Sequence, residues 1–277
     1  MANVTSIGFL GLGQMGAPMA ERLLAEDVRL HVFDPRPAAM EPFVARGAVH
    51  CASPAAVADA ARVVFACLPN SAASEEVAAA VATGRAVRVY AEMSTIGKRA
   101  VEGIAARLGE RGVAVVDAPI SGGPAGARAG TLAMLAAGAP AAVAELDPWL
   151  RRIGREVFVL GENPGQAQVM KLVNNLMFAS NLVAACEGLA MGAKAGLDPD
   201  AMLAMVNAGT GRSVATERVL EEVVSGRFAF GAALSVLDKD VTLGLAEAAT
   251  LGVPMWALSR RRGSGASPSR KGPARRT

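Results

Sequence analysis

A lysine and an asparagine, Lys171 and Asn175, stand four residues apart in a stretch that is otherwise apolar. In a helix this spacing places both side chains on one face. The surrounding segment 165–196 has apolar residues at helical intervals and predicts a long buried helix, in which a charge is costly unless it has a purpose. Lys171 is therefore a candidate acid/base group, beside an amide that can orient a substrate. The alternative is that Lys171 extends along its methylenes to the surface.

A glycine-rich loop near the N-terminus provides a second signal. A short apolar segment leads into Gly11, Gly13, Gln14, Met15 and Gly16, and an Ala/Leu-rich helical pattern follows. Strand, glycine loop and helix in this order are typical of a pyrophosphate-binding site. Gly11 permits the tight turn, Gly13 lets the backbone approach phosphates, and Gly16 lets the helix pack closely on the strand.

An acidic residue at the end of the next apolar segment bears on the choice of dinucleotide. Asp34 lies at the distance from the glycines where a carboxylate would bond the adenosine ribose hydroxyls, which favours NAD over NADP. Arg36 leaves NADP as the alternative, because an arginine just beyond this strand can accept a 2′-phosphate.

Three later loops also follow predicted strands and belong at the same edge of the sheet. Their small and amide residues suit contact with ribose and nicotinamide, whereas a serine followed by two glycines offers backbone N–H groups and a hydroxyl for a substrate carboxylate. Turn chemistry alone is the alternative for each loop. The loops are 68–71, 93–95 and 119–124, and their candidate residues are Leu68, Pro69 and Asn70, then Thr95, then Ser121, Gly122 and Gly123.

The elements that must position these residues alternate along the first part of the chain. Short apolar runs and Ala-rich helical patterns over residues 1–162 predict an α/β Rossmann domain with a doubly wound parallel sheet. The predicted strands are 6–10, 29–33, 63–67, 87–91, 113–117, 131–136 and 156–160, and the predicted helices are 14–25, 38–46, 54–59, 72–81, 98–111 and 140–153. After Pro164 only helical patterns occur, at 165–196, 199–207, 212–225 and 234–251, so that 163–258 is expected to form an all-α domain over the nucleotide cleft.

The charge of the chain is concentrated in its last segment. The 277 residues carry a net charge of +3, but residues 259–277 contain seven basic residues and no acid, so the remainder has a charge of about −4. This Ser/Gly/Pro/Arg segment cannot build a core, and it predicts a disordered basic tail. A solvated or altered chain end is the favoured interpretation and a nucleic-acid arm is the alternative, so no nucleic-acid partner is expected.

Other function classes are disfavoured by what the sequence contains. Two histidines and three scattered cysteines have no metal-type spacing, so no metal site is expected. Apolar runs fall short of the roughly 20 uncharged residues of a membrane span, and the first strand follows the N-terminus without a signal-peptide layout. A cytoplasmic protein without membrane contact is the expectation.

Taken in order, these motifs resemble those of the β-hydroxyacid dehydrogenase family. The resemblance is carried by residues 8–16, 68–70, 117–123 with 130–132, 165–175 and 239–240. It implies that Lys171 is the catalytic lysine, that Asn175 contacts the substrate, and that Ser121, Gly122 and Gly123 hold its carboxylate. It also implies that Thr95 contacts the nicotinamide ribose, that Asn70 contacts the cofactor, and that Lys239 lies beside the cofactor and the active site.

The same resemblance implies an activity and an assembly. We expect NAD(P)-dependent oxidation of a small 3-hydroxy acid of the 3-hydroxyisobutyrate type, in a homodimer or homotetramer built on the helical domain. An NADPH-preferring semialdehyde or glyoxylate reductase is the nearest alternative, and Lys171 argues against the related imine reductases. After residues 251–255 the sequence departs from the family pattern. A non-catalytic dinucleotide-binding module and an inactive protein with an altered C-terminus therefore stay open as alternatives.

Overall fold

Strands and helices alternate in the first part of the protein, as the sequence predicts. The computed structural model describes residues 4–231 and 233–259. The strands are β1 (Thr5–Leu10), β2 (Val28–Phe33), β3 (Val49–His50), β4 (Val63–Ala66), β5 (Val89–Glu92), β6 (Ala114–Asp117), β7 (Ile120–Ser121), β8 (Ala133–Ala137) and β9 (Glu156–Gly161). The helices between them are α1 (Gly16–Glu21), α2 (Pro37–Val44), α3 (Pro54–Ala60), α4 (Ser71–Val81), α5 (Lys98–Gly109), α6 (Gly123–Ala129) and α7 (Pro140–Ile153).

These strands form one sheet in the spatial order β3-β2-β1-β4-β5-β6-β8-β7, and β9 also pairs with β8. Strands β1 to β6 pair with one another in parallel. After β1 the chain adds β2 and β3 on one side of β1, and it then crosses over to place β4 on the other side of β1. This reversal creates a crevice at the carboxyl ends of β1 and β4, which is where doubly wound sheets bind their ligands.

The far edge of the sheet is mixed rather than parallel. Strand β8 runs antiparallel to β6 and β7 and parallel to β9. The chain passes from β6 to β7 through two residues, and so without the long crossover that a parallel connection needs. The sequence did not predict β7 and α6, because a two-residue strand and a seven-residue helix are too short to show a clear apolar period.

Apolar cores cover both faces of the sheet, which confirms the doubly wound arrangement. On one face Phe9 of β1 and Phe65 of β4 stack with ring centroids 6.2 Å apart, under α1, α2 and α7. On the other face Tyr90 is fully buried beneath α3, α4 and α5. Packing on both faces therefore supports the strands whose carboxyl ends form the crevice.

After β9 the described chain is helical. It forms α8 (Gln166–Lys194), α9 (Pro199–Ala208), a π-helical turn (Ala215–Val219), α10 (Leu220–Val224), α11 (Leu234–Thr250) and α12 (Trp256–Ser259). The single helix predicted at 212–225 begins later, because Ser213, before the π turn, bonds Thr216 within it: the Ser213 N–H donates to Thr216 Oγ1, which donates to the Ser213 carbonyl oxygen. Helix α12 was not predicted. The rest of the predicted tail, 260–277, lies outside the described residues.

Burial of α8 is less complete than the sequence predicts. Leu172 and Leu176 are buried, whereas the side chains of Val173 and Met177 are 42% and 62% exposed. The prediction of a wholly buried helix is wrong because α8 packs against the sheet and α11 along one stripe. Among the described residues, α8 is the one helix that is long and apolar enough to cross a membrane by length and composition, but core helices of soluble proteins share these properties.

Candidate active site

The glycine-rich loop leaves the end of β1 at the crevice. Gly11 has a backbone φ of +91°, in the left-handed region that favours glycine, and a Cβ on Gly16 would lie 1.9 Å from the Gly11 carbonyl oxygen. These two glycines let α1 pack directly on the turn. A Cβ on Gly13 would meet no atom of the described residues within 4 Å, which leaves room for a ligand beside its backbone.

The two residues that complete this loop point in different directions. Gln14 Nε2 donates a hydrogen bond of 3.2 Å to the carbonyl oxygen of Gly231, in the segment before α11. Met15 precedes α1, and its side chain packs against the apolar core. The loop therefore contacts both the sheet and the helical part of the protein.

Asp34 is buried and bonded on both carboxylate oxygens. Oδ2 accepts a 2.8 Å hydrogen bond from the Leu12 N–H, which ties Asp34 to the glycine-rich loop. The backbone N–H and Nε of Arg36 donate to Oδ1, each at 2.9 Å. Burial raises the pKa of Asp34, but the hydrogen bonds from Arg36 and Leu12 outweigh it and hold that pKa below its ordinary value. Asp34 is thus a fixed carboxylate at the end of β2.

The loops after β4 and β5 lie side by side. The Leu68 N–H donates a 2.8 Å hydrogen bond to Ser94 Oγ, which joins the two loops next to Thr95. Pro69 and Asn70 are exposed at the rim. Asn70 Oδ1 also accepts from the Ala73 N–H and caps α4, so that the turn-chemistry alternative for this residue has direct support.

A buried acid that the sequence did not reveal supports these two loops. Glu92 ends β5 and is fully buried. Its carboxylate accepts hydrogen bonds from the Ser94 N–H at 3.0 Å and the Tyr90 hydroxyl at 3.3 Å. Burial raises the pKa of Glu92 to about 7 against the effect of these bonds. The only sequence signal was a carboxylate one residue beyond a predicted apolar strand.

Ser121, Gly122 and Gly123 turn the chain from β7 into α6. Gly122 has a φ of +131° and Gly123 a φ of +65°, so both positions favour glycine on backbone grounds. Ser121 is partly buried and the two glycines are exposed. This geometry presents the loop backbone to solvent at the end of the sheet.

Lys171 lies in the second turn of α8, with a partly buried side chain. Burial has the largest effect on its amine and lowers the pKa of Lys171 to about 8. The Asp240 carboxylate opposes this shift, and the Lys239 ammonium adds to it. A lysine with this pKa exchanges a proton near neutral pH, as an acid/base group must.

A chain of hydrogen bonds connects the residues around Lys171. Asn175 Nδ2 donates a 2.6 Å hydrogen bond to Asp240 Oδ2, and Lys239 Nζ donates a 2.7 Å hydrogen bond to Asp240 Oδ1. Lys239 Nζ also donates to the carbonyl oxygen of Thr95. The network joins α8, α11 and the loop after β5. Asp240 belongs to the 239–240 motif, but it is not among the site residues that the sequence predicts.

Two further polar residues that sequence reasoning missed lie where α8 meets the sheet. Asp117 ends β6 and is fully buried, and Gln168 is fully buried in the first turn of α8. Gln168 Nε2 donates a 2.8 Å hydrogen bond to Asp117 Oδ1. The available signal was the position of Gln168, three residues before Lys171 and so on the same helical face.

The structure therefore brings one set of predicted residues into direct connection. Asn175, Lys239 and Thr95 belong to one hydrogen-bonded network that reaches Asp240, the carboxylate that acts on Lys171. The 121–123 loop has no hydrogen bond to Lys171 or Asn175 in the part of the chain that the structure describes. It follows Asp117 by four residues, and Asp117 contacts the start of α8.

Comparison with known proteins gives matches along nearly the whole chain. Residues 6–161 match the NAD binding domain of 6-phosphogluconate dehydrogenase. Residues 165–270 match the family described as NAD-binding of NADP-dependent 3-hydroxyisobutyrate dehydrogenase.

Individual relatives cover most of the chain as well. The 2-(hydroxymethyl)glutarate dehydrogenase of Eubacterium barkeri is 36% identical, over 94% of this chain and 88% of its own length. The 3-hydroxyisobutyrate dehydrogenase of Pseudomonas aeruginosa is 32% identical, over 93% and 90%. Among solved structures, the Mycobacterium tuberculosis 3-hydroxyisobutyrate dehydrogenase with L-serine has a TM-score of 0.83 and 29% identity, over 93% of this chain and 91% of that one.

Proposed function

The chain belongs to the β-hydroxyacid dehydrogenase family and is an NAD(P)-dependent oxidoreductase of hydroxy acids; on that premise we propose that it oxidises a small 3-hydroxy acid of the 3-hydroxyisobutyrate type, with Lys171 as general acid/base. The observation that carries the proposal is the environment of Lys171. Burial lowers the pKa of Lys171 to about 8, and the charges of Asp240 and Lys239 also act on its amine. These two residues form a hydrogen-bonded network with Asn175.

The proposed chemistry assigns one proton transfer to the protein. The nicotinamide, when bound, supplies the acceptor or donor of hydride. In oxidation the neutral Lys171 amine takes the proton of the substrate hydroxyl as the carbon loses hydride, and in reduction the ammonium returns that proton to the developing alkoxide. Asn175 orients the substrate without adding a competing charge. Asp240 fixes the Asn175 amide through their hydrogen bond.

The residues around the crevice fit a dinucleotide. The open space beside Gly13, between the two closely packed glycines Gly11 and Gly16, matches the need of a pyrophosphate for a bare backbone. We assign this group to the loop Gly11, Gly13, Gln14, Met15 and Gly16, the adenosine ribose to Asp34, and the nicotinamide side to Leu68, Pro69, Asn70, Thr95 and Lys239.

NAD is the proposed cofactor, and NADP is the second candidate. Asp34 is held as a buried, ionised carboxylate, which suits ribose hydroxyls and repels a 2′-phosphate. Arg36 supports the alternative, because its side chain is 65% exposed directly beside Asp34. An NADPH-preferring semialdehyde or glyoxylate reductase would use Arg36 in this way.

The substrate carboxylate is assigned to Ser121, Gly122 and Gly123. The two exposed glycines with positive φ leave the backbone accessible, and the Ser121 hydroxyl adds a donor. A small substrate would then reach from this loop to Lys171 and Asn175.

An apolar groove in the helical part supports a homodimer or homotetramer. The groove has a volume of about 760 Å³, and it is lined by the second half of α8, by α9 and by the π-helical turn, including Leu189, Met202 and Met205. The side chain of Met191 on α8 is 74% exposed. We propose that the chain forms its oligomer by burying this groove and the exposed Met191 against a second copy of the chain. Sedimentation velocity of Met191→Glu against wild type tests it, with a smaller species expected for the variant.

The activity is tested by nicotinamide absorbance with NAD or NADP and a panel of 3-hydroxy acids. We expect turnover by wild type and a loss of at least about 10²-fold in Lys171→Ala, the lower range for removal of an acid/base group. Lys194→Ala, an exposed lysine at the end of the same helix, is the matched control and should match wild type. Turnover that survives in Lys171→Ala would refute the role of the lysine, and a folded wild type that binds NAD without turnover would support a binding module.

A further inference from the structure

Gln168 is a buried side chain whose hydrogen-bonding capacity is fully used. Its Oε1 accepts from the backbone N–H groups of Ile96 and Gly97, each at 3.0 Å. Its Nε2 donates to the Ser94 carbonyl oxygen at 2.9 Å and to Asp117 Oδ1 at 2.8 Å. A glutamine amide can accept two and donate two hydrogen bonds, so every position is occupied by a partner from another element.

These bonds surround Thr95. Gln168 bonds the carbonyl group of Ser94, just before Thr95. It also bonds the N–H groups of Ile96 and Gly97, just after Thr95. Lys239 bonds the carbonyl oxygen of Thr95 itself. The backbone of the loop that we assign to the nicotinamide side is thereby fixed by α8 and α11 together.

Asp117 fixes the other end of the same arrangement. Its Oδ2 accepts from the N–H groups of Gly165 at 3.0 Å and Gln168 at 2.8 Å, at the start of α8. A carboxylate at this position satisfies helix N–H groups and interacts favourably with the positive end of the helix dipole. The backbone at the start of α8 is therefore bonded to β6, and the Gln168 side chain bonds the same turn to the 94–97 loop.

The position of Gln168 in α8 connects this arrangement to the reaction. Lys171 follows Gln168 by three residues, on the same face and about 4.5 Å further along the helix axis. We propose that Gln168 is a positioning residue that sets the distance between the Lys171 amine and the nicotinamide side of the site, with Asp117 orienting it. The inference rests on the proposed function, because it assigns Gln168 a role in that reaction.

The alternative is a purely structural role for Gln168, and kinetics separates the two. Misplacing reacting groups by about 1 Å can cost about 10²-fold in rate. If Gln168 sets that distance, Gln168→Leu lowers kcat by about this factor, while the Kd for NAD stays within about threefold of wild type. The primary deuterium isotope effect on kcat also rises, because hydride transfer becomes more rate-limiting. Gln166→Leu, an exposed glutamine in the same turn, is the matched control and should retain kcat.

A second variant covers the case in which Gln168→Leu does not fold. Gln168→Glu keeps the acceptor for Ile96 and Gly97 but places an oxygen against Ser94 and Asp117, which are both acceptors. Only a protonated glutamic acid can donate there. We expect kcat of Gln168→Glu, relative to wild type, to recover as the pH is lowered, which a merely structural role does not predict.

The outcomes distinguish this inference from the proposed function. Normal kcat in folded Gln168→Leu, an equal loss in Gln166→Leu, or a loss confined to the Kd for NAD would overturn the positioning role. Wild type without turnover would overturn the proposed function instead. In that case the pKa of Lys171, measured by NMR on carbon-13 methylated lysines, decides the inference. Because burial is the main cause that lowers this pKa, a Lys171 displaced toward solvent in Gln168→Leu should have a higher pKa, and Gln166→Leu should leave it constant. No difference between the two variants would refute the inference.

Discussion

Asn175 donates a 2.6 Å hydrogen bond to Asp240, and this bond joins the two helices that carry the proposed catalytic groups, α8 and α11. The same carboxylate accepts from Lys239 and acts electrostatically on Lys171. One buried carboxylate therefore bonds the Asn175 amide of α8 and the Lys239 ammonium of its own helix, and its charge also acts on Lys171 of α8. Its removal should affect both the geometry and the proton affinity of the site.

The first prediction concerns Asp240→Asn. In wild type the rate of oxidation should rise with pH as Lys171 loses its proton, with an inflection at about 8. Because the Asp240 charge raises the pKa of Lys171, its removal should move that inflection to lower pH. Asn175 and Lys239 donate to different oxygens of Asp240, and an asparagine would replace one of these oxygens with an NH2 donor. The value of kcat should therefore also fall about tenfold, or about 1.4 kcal/mol.

The measurement is the pH profile of kcat and kcat/KM for hydroxy acid oxidation. Asp238→Asn is the matched control, because Asp238 is exposed on the same helix. Its profile should overlay that of wild type. An inflection that moves to higher pH in Asp240→Asn would contradict the electrostatic role given to this residue.

A second prediction concerns the choice of cofactor. Arg36 is bonded to Asp34, and its guanidinium is exposed where a 2′-phosphate would approach. Arg36→Ala should lower kcat/KM for NADP about tenfold and leave that for NAD within about threefold, since only NADP gains from a charge at this point. Steady-state rates with both cofactors measure this. Arg46→Ala, another exposed arginine, should change neither value, and an equal loss for NAD and NADP in Arg36→Ala would argue against phosphate recognition.

Local patterns carried most of what the sequence predicted. Helical spacing predicts that Lys171 and Asn175 share one helix, and both lie on α8. The strand and helix context predicts the glycine-rich loop. Confirmed elements such as α7 coincide with strong periodicity, whereas the two-residue β7 has none. The predicted burial of α8 failed because an apolar pattern does not say which faces of a helix will find a partner within one chain.

The supporting polar residues could not be predicted for a different reason. Gln168 bonds the 96–97 loop across more than 70 residues of sequence, and Asn175 meets Asp240 across 65. Spacing along the chain determines which residues share a helical face, but it does not determine which loop that face meets. Such contacts follow only from the packing of α8 against the sheet and α11.

A third prediction uses the buried carboxyl of Glu92. Burial raises its pKa from 4.5 to about 7, so the folded protein binds a proton that the unfolded chain releases between these values. The associated stability is fully present below pH 4.5 and is lost as pH rises through about 7. The shift corresponds to about 3 kcal/mol. Glu92→Gln should therefore lose less stability than wild type over this range.

Urea unfolding at a series of pH values measures this difference. Asp117, whose pKa is also raised by burial, to about 6, contributes with the same sign in both proteins and cancels in the comparison. Glu110→Gln replaces an exposed carboxylate and should follow wild type. If Glu92→Gln and wild type lost stability in parallel, the buried carboxyl would not be the source.

A fourth prediction separates packing from ligand binding within the glycine-rich loop. A Cβ at position 16 would overlap the Gly11 carbonyl oxygen, so Gly16→Ala should destabilise the protein by about 1–3 kcal/mol even without cofactor. A Cβ at position 13 meets no described atom within 4 Å, and the φ of Gly13 is not positive. Gly13→Ala should therefore leave the Tm of the free protein nearly unchanged.

When NAD is present, Gly13→Ala should become the informative substitution. If the space beside Gly13 holds pyrophosphate, an added methyl group displaces it, and the Kd for NAD in Gly13→Ala should rise about tenfold. Calorimetric titration with NAD, together with thermal unfolding of the free proteins, measures both effects. An unchanged Kd in Gly13→Ala would place the pyrophosphate elsewhere in the crevice, because a ligand in close contact with this backbone cannot accommodate a side chain at that position.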